Sequence, residues 1–245
     1  MIAKPKRIAV WSGPRNLSTA MMRSFGARSD TLCIDEPFYA SFLKLTGLDH
    51  PMRDEILAAH SADADAVARQ LSEGPAMARV IYQKQMTHHM VDGIPRDWME
   101  QVTSVFLIRH PARVLTSYAR KMEKADIYSI GFPQQAELYH EARARTNSTP
   151  IIVDADDILN TPETILSALC SELEIDFESS MLGWEAGGRP EDGVWASHWY
   201  DAVLKSTGFG PAPSDLPDLP PNLQLVCDRA LPNYEMLAKH KLGLI

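Results

Sequence analysis

The stretch Ile8-Ala9-Val10-Trp11-Ser12-Gly13-Pro14-Arg15-Asn16-Leu17-Ser18-Thr19 decides the fold. Ile8 to Trp11 form a short apolar run closed by Ser12, Gly13 and Pro14, after which Leu17, Met21, Met22 and Phe25 recur at helical spacing. Strand, loop and helix in immediate succession bring backbone N–H groups and the positive end of a helix dipole to one point, a combination that attracts phosphate. Ser18 and Thr19 add hydroxyl donors there, and Arg15 adds a forked cation. A nucleoside-triphosphatase loop ends in Gly-Lys-Ser/Thr, whereas here Leu17 stands before Ser18 and no lysine precedes the hydroxyl pair. A leucine at that point requires a backbone with negative φ, since positive φ is the territory of glycine, so a loop of altered shape is expected. The plainer alternative is a tight turn with a helix cap at Asn16 or Ser18 and Arg15 facing solvent.

Outward from this point, strands and helices alternate. Leu32 to Ile34 read as a second strand ending in Asp35-Glu36-Pro37, where proline removes a ladder donor. Phe38 to Leu71 suggest short helices. Ala78 to Gln83 make a third strand that leads into Lys84 and a helical-looking Met86 to Val91. Val102 to Ile108, the most apolar strand, stops at Arg109-His110-Pro111, and Val114, Leu115 and Tyr118 mark the next helix. Pro133 to Arg145 reads as a helix, and Ile151 to Val153 as a fifth strand. Thr161 as N-cap and Pro162 at the first helical position announce a helix carrying Ile165, Leu166, Leu169 and Leu173. Residues 183–221 are rich in glycine, proline and tryptophan and read as an irregular flap around one helix at Ala196 to Lys205. Leu223 to His240 close the chain as a helix with an interruption at Pro232. This pattern predicts an α/β fold with a mainly parallel five-stranded sheet flanked by helices, and a ligand at the carboxyl ends of the strands.

The chain has 245 residues, 45% apolar and 23% charged, and is expected to fold as one domain over 1–245. Its net charge of −8 repels long polyanions overall, so nucleic acid is not an expected partner and a small-molecule acceptor is. Cys33, Cys170 and Cys227 are odd in number and lie in or beside apolar runs, which suits buried free thiols of a reducing compartment. With no signal-like core or membrane-length apolar run, a cytoplasmic protein is expected. No HExxH or cysteine cluster supports a metal, and Asp154, Asp156 and Asp157 are better explained by helix initiation.

Pro14-Arg15-Asn16-Leu17-Ser18-Thr19 resembles the phosphate loop of the sulfotransferases that use 3′-phosphoadenosine 5′-phosphosulfate (PAPS), with Asn and Leu in place of Ser and Gly. Arg109-His110-Pro111-Ala112-Arg113-Val114-Leu115-Thr116-Ser117 resembles the same family's 3′-phosphate signature, with arginine and serine at the family's separation. The resemblance covers nearly the whole chain and implies a three-layer P-loop NTPase-like fold. It also implies PAPS as donor, adenosine 3′,5′-bisphosphate (PAP) as product, and a nucleotide site built from Gly13 to Thr19, Arg109 and Ser117. Gly193-Val194-Trp195-Ala196-Ser197-His198-Trp199-Tyr200 is similar to the family's C-terminal segment that folds over the nucleotide, which implies a contact from Trp195; core packing of these rings is the alternative.

Sulfuryl transfer leaves the protein to align donor and acceptor, balance charge on the sulfuryl oxygens and remove a proton. Arg15 and Lys84 fit the charge role. Glu36 fits the proton role by its strand-end position and the adjacent Phe38, which would raise its pKa; some members of the family put a glutamate base after this strand. Cytosolic members instead use a histidine shortly after a lysine on the third strand, which implies His88 or His89 as the competitor. Two other readings stay open: a P-loop kinase of a small metabolite, and a nucleotide-binding protein without turnover.

Overall fold

The computed structural model describes residues 4–243 apart from Ala76, Glu123 and Pro213; the outer ends of the expected 1–245 domain lie outside the described residues. Five strands, β1 (Lys6–Ser12), β2 (Thr31–Asp35), β3 (Val80–Met86), β4 (Thr103–Ile108) and β5 (Ile151–Asp154), form one parallel sheet in the order β2-β3-β1-β4-β5. The helices are α1 (Ser18–Gly26), α2 (Tyr39–Thr46), α3 (Arg53–Ala59), α4 (Ala64–Glu73), α5 (Pro111–Tyr118), α6 (Phe132–Thr146), α7 (Ala155–Asn160), α8 (Pro162–Glu172), α9 (Ala196–Trp199) and α10 (Pro221–Ala238).

Strand alternation makes three layers. In β1, Ile8 and Val10 join a core with Met21, Met22 and Phe25 of α1, Phe42 and Leu43 of α2, and Ile165, Leu166 and Leu169 of α8. Ala9 and Trp11 point to the opposite face, where they meet Val67 and Leu71 of α4, Leu138 and Tyr139 of α6, and Leu237 of α10. β4 divides the same way, with Val105 and Leu107 on one side and Phe106 and Ile108 on the other. Side chains of period two on a sheet buried on both faces explain why these strands read as continuous apolar runs.

The chain leaves β1 toward β2 and β3 on one side, then crosses to β4 and β5 on the other. The loops after β1 and β4 therefore diverge over a crevice at the carboxyl ends of neighbouring strands, the place where open α/β sheets hold ligands.

Several local expectations change. Met86 to Val91 is not a helix: β3 continues to Met86 and only a 3-10 turn, Thr87–His89, follows. Lys84 is consequently a strand residue, in register with Val10 and Asp35. Ala196 to Lys205 breaks into α9 and a 3-10 turn, Val203–Lys205. α10 runs unbroken through Pro232. Thr161 precedes α8 but caps no amide; its hydroxyl lies 3.4 Å from the Asp157 carbonyl oxygen of the preceding helix. Asp154 does initiate α7, accepting from the Asp156 amide at 2.9 Å. Cys33, Cys170 and Cys227 are buried free thiols.

Candidate nucleotide and acceptor site

Neither Asn16 nor Ser18 caps α1. The N-cap is Leu17, with φ 69° and ψ 6°, and Arg15 is also left-handed at φ 65°. The expectation of negative φ at Leu17 is thus overturned: the loop takes a glycine-like path with an L-residue in it. Strain of this kind costs on the order of 1–2 kcal/mol per residue. The surroundings hold the loop there. Asn16, fully buried, donates from Nδ2 to the Leu107 carbonyl of β4 at 3.2 Å, and Leu17 packs on the core. Gly13 is required for space, because a Cβ there would stand 2.4 Å from the Ile130 carbonyl oxygen.

Pro14, Arg15, Leu17, Ser18 and Thr19 line one end of a cavity of about 800 Å³, together with Arg109 and Ser117. Arg15 donates from Nε to Ser117 Oγ at 2.8 Å, and Arg109 donates from Nη1 to the Arg15 carbonyl at 3.1 Å. The two sequence motifs, about a hundred residues apart, therefore meet in one cradle. His110 starts α5 by accepting the Ala112 amide on Nδ1 at 3.2 Å, which fixes how Arg109 leaves β4. Asp156 stands behind it, 3.8 Å from Arg109 Nε and 2.7 Å from Arg113 Nε. Burial lowers the pKa of both Arg15 and Arg109; Arg120 adds to the effect at Arg15, and Asp156 opposes it at Arg109. Two partly desolvated guanidiniums side by side are stabilised by an anion placed between them.

Glu36, Lys84, His88 and His89 line the cavity further on, beside Tyr39 and Phe42. Glu36 sits on a left-handed backbone at φ 39° just past β2. Lys84 is 1% exposed, Asp35 7% and Glu36 8%. An ammonium has three N–H donors, and those of Lys84 go to Asp35 Oδ1 at 2.9 Å, Tyr200 Oη at 2.7 Å and Glu36 Oε1. In this arrangement all three are taken, and Lys84 forms a strut between two carboxylates at the cavity wall. Burial works against the Lys84 charge, but Asp35 and Glu36 outweigh it and raise its pKa. For Glu36 burial wins in the other direction: its pKa is raised, with Lys84 opposing. Glu36 Oε2 faces His89 Nε2 at 4.0 Å.

The His89 ring lies between Tyr39 (centroids 4.5 Å, 27°) and Phe42 (4.8 Å, 24°), and His88 meets Phe42 edge-on at 5.8 Å. Burial holds His88 down to about 3 and His89 well below the usual histidine value, so both imidazoles are neutral at pH 7. Next to the cationic cradle the cavity thus has an uncharged wall of rings.

Trp195 does not line the cavity. At 1% exposure it packs against Tyr39 (5.0 Å) and His60 (4.9 Å) and donates from Nε1 to Tyr200 Oη at 3.1 Å. Its ring is packed in the core, and it is Tyr200 that turns toward the strand ends. Trp199 does reach the cavity. Asp35 and Tyr200 escaped the sequence reading as site residues. Asp35 stood beside Glu36 in the motif, but a partner 165 residues away leaves no local signal.

An open parallel sheet flanked by helices, with paired arginines at its switch point and a carboxylate–lysine pair beside them, defines an α/β protein of P-loop-like fold. The family described as "Sulfotransferase domain" matches residues 6–240, and the chain belongs to it. Solved structures agree on the fold. The sulfotransferase domain from the curacin biosynthetic pathway superposes with a TM-score of 0.56 at 18% identity, covering 98% of this chain and 99% of that one. The sulfotransferase domain of the Synechococcus PCC 7002 olefin synthase gives 0.55 at 18% identity, covering 99% and 98%. Among curated proteins, branched-chain-amino-acid aminotransferase-like proteins 1 and 2 of Arabidopsis thaliana are 38% and 37% identical over 98% and 97% of this chain. The chain spans 43% of the length of each. Among the described residues no helix is long and apolar enough to cross a membrane.

Proposed function

We propose that this protein transfers the sulfuryl group of PAPS to a hydroxyl or amine of a small acceptor by direct in-line displacement. The acceptor oxygen or nitrogen forms the new bond to sulfur as the bond from sulfur to the bridging phosphate oxygen breaks. PAP leaves with that electron pair, and Glu36 takes the acceptor's proton. Arg109 and Ser117 hold the 3′-phosphate, and Arg15, Ser18, Thr19 and the loop amides hold the 5′-phosphosulfate. The ring wall beside Glu36 seats the acceptor, and Lys84 keeps the carboxylate in place.

The observation that carries this reading is the convergence of Arg15, Ser117 and Arg109 at one end of the cavity. A ligand with phosphates at both the 3′ and 5′ positions uses both motifs; a nucleoside triphosphate needs only one. Isothermal titration with PAP is expected to show one saturable site, weakened in Arg109→Ala to the affinity of adenosine 5′-monophosphate. Glu36→Gln is expected to abolish sulfate transfer from labelled PAPS while keeping PAP affinity within about twofold, because the carboxylate acts on the acceptor and not on the nucleotide. Preference for ATP with magnesium would assign the site to a kinase. PAP binding without transfer to any acceptor would make the chain a binding protein.

A further inference from the structure

The buried cluster at the ends of β2 and β3 contains more than the proposed base and its cation. Tyr200, at the C-terminal end of α9, inserts its hydroxyl between Asp35 and Lys84, with Asp35 Oδ1 at 2.9 Å, Asp35 Oδ2 at 2.7 Å, Lys84 Nζ at 2.7 Å and Trp195 Nε1 at 3.1 Å. A phenol has one proton to give and two lone pairs. Lys84 and Trp195 can only donate, so the phenol proton goes to Asp35 and both lone pairs are taken. The second face of Asp35 is closed by the Gly193 amide, 3.2 Å from Oδ2. Tyr200 also reaches Glu36 Oε1 at 3.5 Å.

Counting charge, Asp35 and Glu36 face one ammonium, so the ionised cluster carries one uncompensated negative charge in a largely buried site. Such a charge is costly unless protons and hydrogen bonds redistribute it. Lys84 shares itself between the two carboxylates, and Asp35 is further stabilised by Tyr200 and Gly193, whereas Glu36 has Lys84 on one oxygen and the neutral His89 across from the other. The groups facing Glu36 are therefore Asp35 from β2, Tyr39 from α2, Lys84 from β3, His89 from the turn after it, and Tyr200 from the end of α9.

We propose that Asp35 and Tyr200 are positioning residues that set the proton affinity of Glu36 in opposite directions: Asp35 raises it by competing for Lys84 and by like charge, and Tyr200 lowers it by giving its proton to Asp35, which stabilises that carboxylate and leaves more of Lys84 to Glu36. The segment that follows residue 183 thereby supplies part of the reaction centre through a residue that touches neither phosphate cradle nor ring wall by its hydroxyl. The significance of this proton affinity for turnover rests on Glu36 being the base; the affinity itself does not.

The test reads Glu36 directly, by 13C titration of its side-chain carboxyl, in the unmodified protein and in two near-isosteric variants. In Asp35→Asn the apparent pKa is expected to fall by about one unit or more, because a like charge is removed and Lys84 is released to Glu36. In Tyr200→Phe it is expected to rise. Shifts of the same sign in both variants, or no shift in either, overturn the proposal; a role confined to packing moves neither. The unmodified protein gives a check that needs no variant. An ammonium locked by three acceptors exchanges its protons slowly, so Lys84 is expected to give a resolved 15N-bound proton signal at pH 7, and a freely exchanging Lys84 would sink the cluster. Steady-state kinetics separate this from the reading of function. Opposite carboxyl shifts with a Glu36→Gln enzyme that still turns over would leave the cluster standing and remove Glu36 as the base. Loss of turnover in Glu36→Gln with an unshifted carboxyl in both variants would do the reverse.

Discussion

At Glu36 and His88 two candidate bases line one cavity, and their surroundings push them apart. Burial raises the carboxyl of Glu36 above its ordinary value, with Lys84 working against the shift, while burial holds the imidazole of His88 down to about 3. A general base must be unprotonated to act, so activity falls as the pH drops through its pKa. The dependence of kcat/KM on pH is expected to show an acidic limb above the usual glutamate value of about 4.3. A limb near pH 3, with the protein still folded, would hand the role to His88. Most candidate residues at this scale could be read from the chain, because each is announced by its neighbours: Arg15 by the loop after a strand, Arg109 by the end of the most apolar strand, Glu36 by a strand end before proline. Leu17 could not be read correctly. Its positive φ is imposed by Asn16 bonding to β4 and by the packing of Leu17 on the core, contacts that a local preference does not contain.

Among the elements, the segment after residue 183 is tied to the sheet more firmly than its composition suggests. Arg23 of α1 and Asp192 form a two-pronged ion pair, with both nitrogen-to-oxygen distances 2.6 Å and side chains 1% and 6% exposed. Gly193 and Tyr200 add their bonds to Asp35. Burial disfavours the Arg23 charge, but Asp192 more than restores it and raises its pKa. Removing one partner of a buried pair strands the other charge, at about 3–5 kcal/mol. Asp192→Asn keeps the shape and loses the charge. It is expected to lower the unfolding free energy in urea by about that amount, and to expose residues 183–221 to protease before the rest of the chain. A loss under about 1 kcal/mol would mean that water reaches Arg23.

The sheet itself was legible because every strand is buried on at least one face and reads as an apolar run between breakers. The misread elements share a cause. Met86 to Val91 has helical spacing, but β3 must run on to Met86 to pair with Ser12, and the two histidines are then packed on Tyr39 and Phe42 rather than on a helix face. Ala196 to Lys205 breaks where Tyr200 turns in to bond Asp35 and Lys84. In both places tertiary pairing overrides local pattern.

Across the whole molecule, a net charge of −8 surrounds a cavity whose wall carries Arg15, Lys84, Arg109 and Lys121 together with Glu36, Asp49 and Asp126. The long-range field repels anions, so binding of a small one depends on the short-range cradle, where charge is screened less by salt. That cradle joins the loop after β1 to the helix after β4, elements on either side of the switch point, so a ligand held by both adds its binding energy to the cohesion of the sheet. At a concentration one hundred times Kd the gain is about 2.7 kcal/mol, which for a domain of this size raises the unfolding temperature by roughly 5–10 °C. At one fixed nucleotide concentration the rise is expected to be largest for PAP, smaller for adenosine 5′-monophosphate and smallest for adenosine. In Arg109→Ala the PAP shift is expected to fall to the monophosphate value, because the loop amides and Arg15 survive the substitution and the second anion grip does not. Equal shifts for PAP and the monophosphate in the unmodified protein would mean that Arg109 and Ser117 hold no phosphate, and that Arg109 serves only to brace the Arg15 carbonyl and pair with Asp156.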